Sequence, residues 1–278
     1  MPIILICVAL LVAGVAAAVR WGGLAFTAPD VDEELSVGET ARRSVWYSAL
    51  ALTGGVMAGI TVIGAGGRLA MRLLAVTAVA DAQGRITEAQ EIVGRITVDG
   101  TIGFVLFNGI FGGVITAVLY LVVRRFLPPG RLGGAAFGLG LLVIAGTTID
   151  PLRRENPDFD LVGPGWLAVV VFSAMAIVFG VTLAAVLARL SEWLPLLSAE
   201  RRVLFRYAGP AAIAALTFFV TALAAVACVV VVAVTRFRPL IDAMRSRRWV
   251  IGGRAVLLSA VGVALPQSLS SLVDIATR

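Results

Sequence analysis

Two arginines are the residues best placed to do chemistry. Arg68 and Arg72 stand four apart in the run GGRLAMRLL, and four residues is about one helical turn, so both side chains leave one face of a helix. A guanidinium donates in fork geometry to carboxylate and phosphate oxygens, so two on one face make a site for an anionic solute or a lipid headgroup. The plainer use of the same pair is snorkelling towards a membrane surface, or pairing with Asp81, Glu88 or Glu91 to hold the connector that follows. A second group, Asp150, Glu155, Asp158 and Asp160 with Asn156, lies in DPLRRENPDFD. Its oxygens are of the type a hard cation such as calcium takes. The spacing is not that of an EF-hand loop, and Arg153 and Arg154 lie within it, so a turn held by local ion pairs competes with cation binding. Asn108 is the third candidate, a strongly polar side chain deep inside an apolar run. It suits an interhelical hydrogen bond or the lining of a polar path.

The missing residue types limit the chemistry further. The chain has no histidine, and all 23 of its basic residues are arginine. Without imidazole it has neither serine–histidine nor histidine–metal designs, and without lysine no amine for Schiff-base chemistry. Every Asp and Glu falls in a connector or at the end of an apolar run, so no carboxylate dyad is expected within the membrane. Cys7 and Cys228 lie in apolar runs with no CxxC neighbour, as buried thiols acting as small hydrophobes do. No cofactor and no metal centre are expected.

The elements that position these residues follow from composition. Hydrophobic residues make up 59% of the chain and charged ones 14%, against about 25% charged in soluble domains. The apolar residues come in blocks long enough to cross a hydrocarbon core of about 30 Å. The expected fold is all-α, a polytopic transmembrane helical bundle of about seven spans. These run over 2–19, 46–66 with a helical extension to 80, 101–123, 132–149, 166–190, 208–235 and 250–265, followed by a polar tail. Ala16 to Ala18 resemble a signal-peptidase region, but no basic residue precedes Arg20, so the first run is read as a retained helix. Gly55 and Gly59, Gly109 and Gly113, and Gly134 and Gly138 form three small-x-x-x-small pairs that let helices approach closely. Asp30, Asp32, Glu33, Glu34 and Glu39 make the first connector acidic.

The connector 81–100 contains an echo, GRIT at 84–87 and again at 94–97. It reads either as two short strands or as a helical turn opened by a Thr87–Gln90 capping box. With the N-terminus outside, this connector and 150–165 share a side with the Arg68/Arg72 end, and the two are expected to pack into one external cap. The same orientation leaves the basic stretch 236–254 outside, against the positive-inside rule.

The motifs GGRLAMRLL, GRIT…GT and ENPDF…GP resemble uncharacterised multi-pass membrane proteins of high-GC actinobacteria over about 45–190. The resemblance implies a bacterial plasma membrane and brings no activity and no functional residue with it. The expectation is therefore a non-enzymatic binding or scaffold protein. Its polar cap engages lipid headgroups, an anionic solute or a partner subunit, with homo-oligomers allowed. A small transporter or channel ranks second, since no acid or base stands inside a span to couple ions. An intramembrane enzyme ranks third. Anionic lipids are the expected partners of so basic a chain. Nucleic acid is not, because the arginines flank apolar runs.

Overall fold

The computed structural model describes residues 2–29, 36–88, 91–218, 221–222, 225–227, 229–230 and 246–278. Asp30, Asp32, Glu33, Glu34, Gln90, Cys228 and the arginines Arg236, Arg238 and Arg245 lie outside the described residues, as does the end of the expected sixth span.

Helix ends follow the capping side chains. Ser36 accepts the Glu39 N–H at 3.1 Å and opens α2 (Val37–Thr77), nine residues ahead of the apolar run that marks the expected span. Thr97 caps α3 (Val98–Phe126) by accepting from Gly100 N–H at 3.2 Å, and Ser246 caps α7 (Arg247–Ala276) through Trp249 N–H. α1 (Pro2–Trp21) precedes them, and α4 (Gly130–Gly146), α5 (Gly165–Trp193) and α6 (Arg201–Leu216) lie between α3 and α7. Five of these helices, α1, α2, α3, α5 and α7, are long and apolar enough to cross a membrane, and α4 is a shorter apolar helix. The stretch expected as a polar tail is helical to Ala276. Its buried positions, Ser268, Ser271 and Ile275, recur at helical spacing.

Glycine contacts set how the helices meet. A Cβ on Gly55 would stand 2.6 Å from Val114 Cα and 2.7 Å from the Gly113 oxygen, and one on Gly59 would run into the Gly109 carbonyl. Two of the three glycine pairs thus pack on each other, α2 against α3. The third, Gly134 and Gly138, meets Gly180 and Ala176 of α5. Inside α2 the segment Gly59–Gly64 is π-helical, with Ala65 N–H bonding to the Ile60 carbonyl five residues back. That wider turn brings residues five apart into line. Gly59 and Gly64 can therefore both face α3, Gly64 meeting Val105. α3 carries its own π segment, Val105–Phe111, directly opposite. The core around them is built from Trp46, Leu50, Val62, Phe179, Leu183 and Leu187.

The rods run between two chemically different ends. α1 ends, α3 ends, α5 ends and α6 begins at one end, which holds Arg20, Arg42, Arg43, Arg124, Arg125, Arg131, Arg189, Arg201, Arg202 and Arg206. α7 begins here too, because Arg254 Nε donates to the Phe126 carbonyl at 3.2 Å and Gly253 lies against the Phe126 ring. Strict alternation of seven spans places 236–254 at the opposite end. The structure corrects this: the described start of α7, with Arg247, Arg248 and Arg254, adds to the arginine-rich end. α6 and α7 therefore begin at the same end.

Candidate functional site: a polar cap and the arginine beneath it

The other end gathers most of the described carboxylates. In the connector after α2, Gly84 and Gly94 take up left-handed conformations at φ of 83° and 85°, which glycine adopts without steric cost. Between these turns an antiparallel bridge pairs Ile86 with Ile92, Val93 N–H donates to Arg85 O at 2.9 Å, and Thr87 N–H donates to Glu91 O at 2.9 Å. The GRIT echo is thus the pair of glycine turns around a minimal hairpin, and no helical turn is assigned to its described residues. Two bonds fasten it to α2: Gln83 Nε2 donates to Ala75 O at 2.7 Å, and Arg72 Nη1 donates to Gly94 O at 2.9 Å.

The hairpin meets the 150–165 connector directly. Arg153 Nη2 donates to both carboxylate oxygens of Glu88 at 2.6 Å, and Asp158 Oδ1 accepts the Glu88 backbone N–H at 2.8 Å. The end of α7 closes the other side, with Arg154–Asp274 at 2.8 Å and Arg278–Asp160 at 3.3 Å. These ion pairs are exposed, so solvent screens them and they contribute little to stability. Underneath, Leu152, Phe159, Leu74 and Ile275 form a buried apolar cluster, which contributes more to closure. Thr147 and Ser268 hydroxyls share a buried hydrogen bond of 2.9 Å beside it.

Arg153, Asp158 and Asp150 are tuned by their surroundings. The hydrogen bonds that Arg153 donates to the Glu88 carboxylate hold it further towards its charged form. Burial pushes the half-buried Asp158 carboxyl above the ordinary carboxylate range, against the Glu88 N–H that pulls it down. Local desolvation does the same at Asp150, whose residue surface is otherwise exposed, and Arg153 opposes it.

The sequence-derived candidates take different partners. Asp158 turns to Glu88, Asp160 to Arg278, and Glu155 stays exposed. Among the described residues no three acidic or thiol groups converge where a metal ion could sit. Of the 150–160 carboxylates, Asp158 and Asp160 are thus engaged in cap contacts. Arg72 is spent on a backbone carbonyl and none of Asp81, Glu88 or Glu91 pairs with it. Arg68, one turn deeper, is half-buried with its guanidinium 5.9 Å from the Phe104 ring centroid and Nη1 3.9 Å from Met71 Sδ. It has no carboxylate partner among the described residues. Asn108 lies in the π segment of α3 on the outer surface of the bundle, with no hydrogen bond to any described residue.

Sequence reasoning missed the part α7 plays. Arg154, Asp274 and Arg278 tie the last helix into the cap, and the recurrence of Ser268, Ser271 and Ile275 was the available signal. Comparison with protein-family models, curated proteins and solved structures finds no match to this chain.

Proposed function

We propose that the protein is a non-enzymatic multi-pass protein of a bacterial plasma membrane that binds an anionic lipid headgroup at Arg68. The observation that carries this reading is the state of that guanidinium. Arg68 is level with Phe104, because Gly67 packs on the Phe104 ring. The apolar run of α3 starts at 101, so Arg68 stands about 5 Å inside the apolar border. A guanidinium at that depth is costly unless an anion meets it, and a lipid phosphate is the anion at that level. Three of the cap's carboxylates, Glu88, Asp274 and Asp160, are turned to Arg153, Arg154 and Arg278 instead.

The charge asymmetry orients the chain in this reading. Arginine-rich ends face the cytoplasm, which puts the cap outside, as expected for an outward N-terminus, and Arg247, Arg248 and Arg254 inside. Single cysteines in a Cys7→Ala, Cys228→Ala background test it. Glu155→Cys should react with a membrane-impermeant maleimide in intact cells, and Arg202→Cys only after permeabilisation. The reverse pattern contradicts the orientation.

Native mass spectrometry of the chain released from phosphatidylglycerol-containing nanodiscs tests the site. Arg68→Gln should lower retained phosphatidylglycerol by about tenfold, the equivalent of one charge-assisted hydrogen bond. Arg85→Gln, an exposed cap arginine, should leave retention unchanged. Equal retention by Arg68→Gln and the parent, at an unchanged thermal midpoint, refutes the assignment.

A further inference from the structure

Asn108 poses a separate question, independent of the headgroup site. It lies seven residues inside the apolar run of α3, about 10 Å below its border. There its carboxamide is exposed and has no hydrogen bond with a described residue. The packed face of α3 is Gly109, Gly113, Ala117 and Tyr120. Asn108 falls on the opposite stripe, with Gly112, Ile115 and Leu119 at helical spacings of four, seven and eleven. Ile115 and Leu119 are 51% and 42% exposed, and a Cβ on Gly112 would meet nothing within 4 Å. A carboxamide in hydrocarbon holds two donors and an acceptor that lipid tails cannot satisfy. Polar side chains of this kind join helices across an interface, and a small residue one turn away lets the second backbone come close.

From this self-complementary amide we infer that α3 docks on α3 of a second copy of this chain through Asn108. A carboxamide is its own complement, one amide N–H donating to the other's oxygen and accepting in return. Around a two-fold axis the same stripe meets itself, Asn108 opposite Asn108, with Gly112 at the close approach and Ile115 and Leu119 flanking it. A lipid-covered monomer leaves the amide unsatisfied. A dissimilar partner would need its own matching polar group at that depth.

Disulfide trapping in native membranes tests the contact in the full chain lacking Cys7 and Cys228. Ile115→Cys, with Asn108 intact, should give a species of twice the chain mass on oxidation. Val170→Cys, 57% exposed on α5, should give none. Adding Asn108→Leu should reduce the Ile115→Cys dimer yield about tenfold, while Asn108→Gln should retain most of it. Both variants face outward, and an unchanged thermal midpoint confirms that the fold is intact. A yield no higher than that of Val170→Cys overturns the inference. So does a yield indifferent to Asn108→Leu, and so does trapping only to a different protein.

Discussion

Gly59→Leu is expected to be the most damaging single substitution in the bundle. At this position α2 and α3 approach backbone to backbone, and an added side chain runs into the Gly109 carbonyl. The obstacle is main chain on both sides, so no rotamer change can relieve it, and the helices must move apart. Separation would also pull Gly55 from Gly113 and Val114 and open the core around Val62. Overpacking typically costs about 1–3 kcal/mol where side chains can adjust, and here a backbone contact leaves less room. We expect at least about 3 kcal/mol, seen as a collapse of the thermal midpoint in detergent. Gly140→Ala is the matched control, since nothing lies within 4 Å of its added Cβ. It should be neutral or stabilising by up to about 1 kcal/mol.

Trp46→Ala is expected to cost nearly as much at the arginine-rich end. Trp46 is 1% exposed, and its Nε1–H donates to the Leu194 carbonyl at 2.6 Å. Its ring meets Phe26 and Tyr47 edge-on at 5.9 and 4.9 Å. One side chain thereby joins the start of α2, the segment after α1 and the end of α5. Truncating a buried aromatic costs about 3–5 kcal/mol, and the Leu194 carbonyl would lose its donor as well. Trp46→Phe separates the two contributions. It keeps most of the packing and removes the donor, so a loss of about 1–3 kcal/mol is expected. Thermal unfolding of the two variants in one detergent gives both numbers.

Much of this architecture is legible in the residues. The glycine pairs stood out by spacing alone, and their use as close contacts follows from steric size. Which pair meets which did not follow, because spacing carries no partner information. Helix starts at Ser36, Thr97 and Ser246 were readable as caps but were masked by the stronger hydropathy signal further on. The end of α7 was hidden for the same reason: Gln267, Ser268, Ser270, Ser271 and Asp274 dilute its apolar stripe.

The candidate site divided along physical lines. Arg68 and Arg72 share a helical face as their spacing requires, yet one turn of depth separates their fates. Arg72 reaches the Gly94 carbonyl, whereas Arg68 is left among Phe104 and Met71. The carboxylates of 150–160 were legible as a cluster but not as a divided one, because Asp158 and Asp160 take partners 70 and 118 positions away. Asn108 read as interior since α3 is apolar on every face, and periodicity cannot orient such a helix.

The central claim is that the cap contacts leave Arg68 to an anion from the lipid. A density map of the chain in phosphatidylglycerol nanodiscs tests it most directly. The account predicts headgroup phosphate density within about 4 Å of the Arg68 guanidinium, at hydrogen-bond or ion-pair range. An Arg68 paired instead with a connector carboxylate, with no lipid density beside it, would contradict the account.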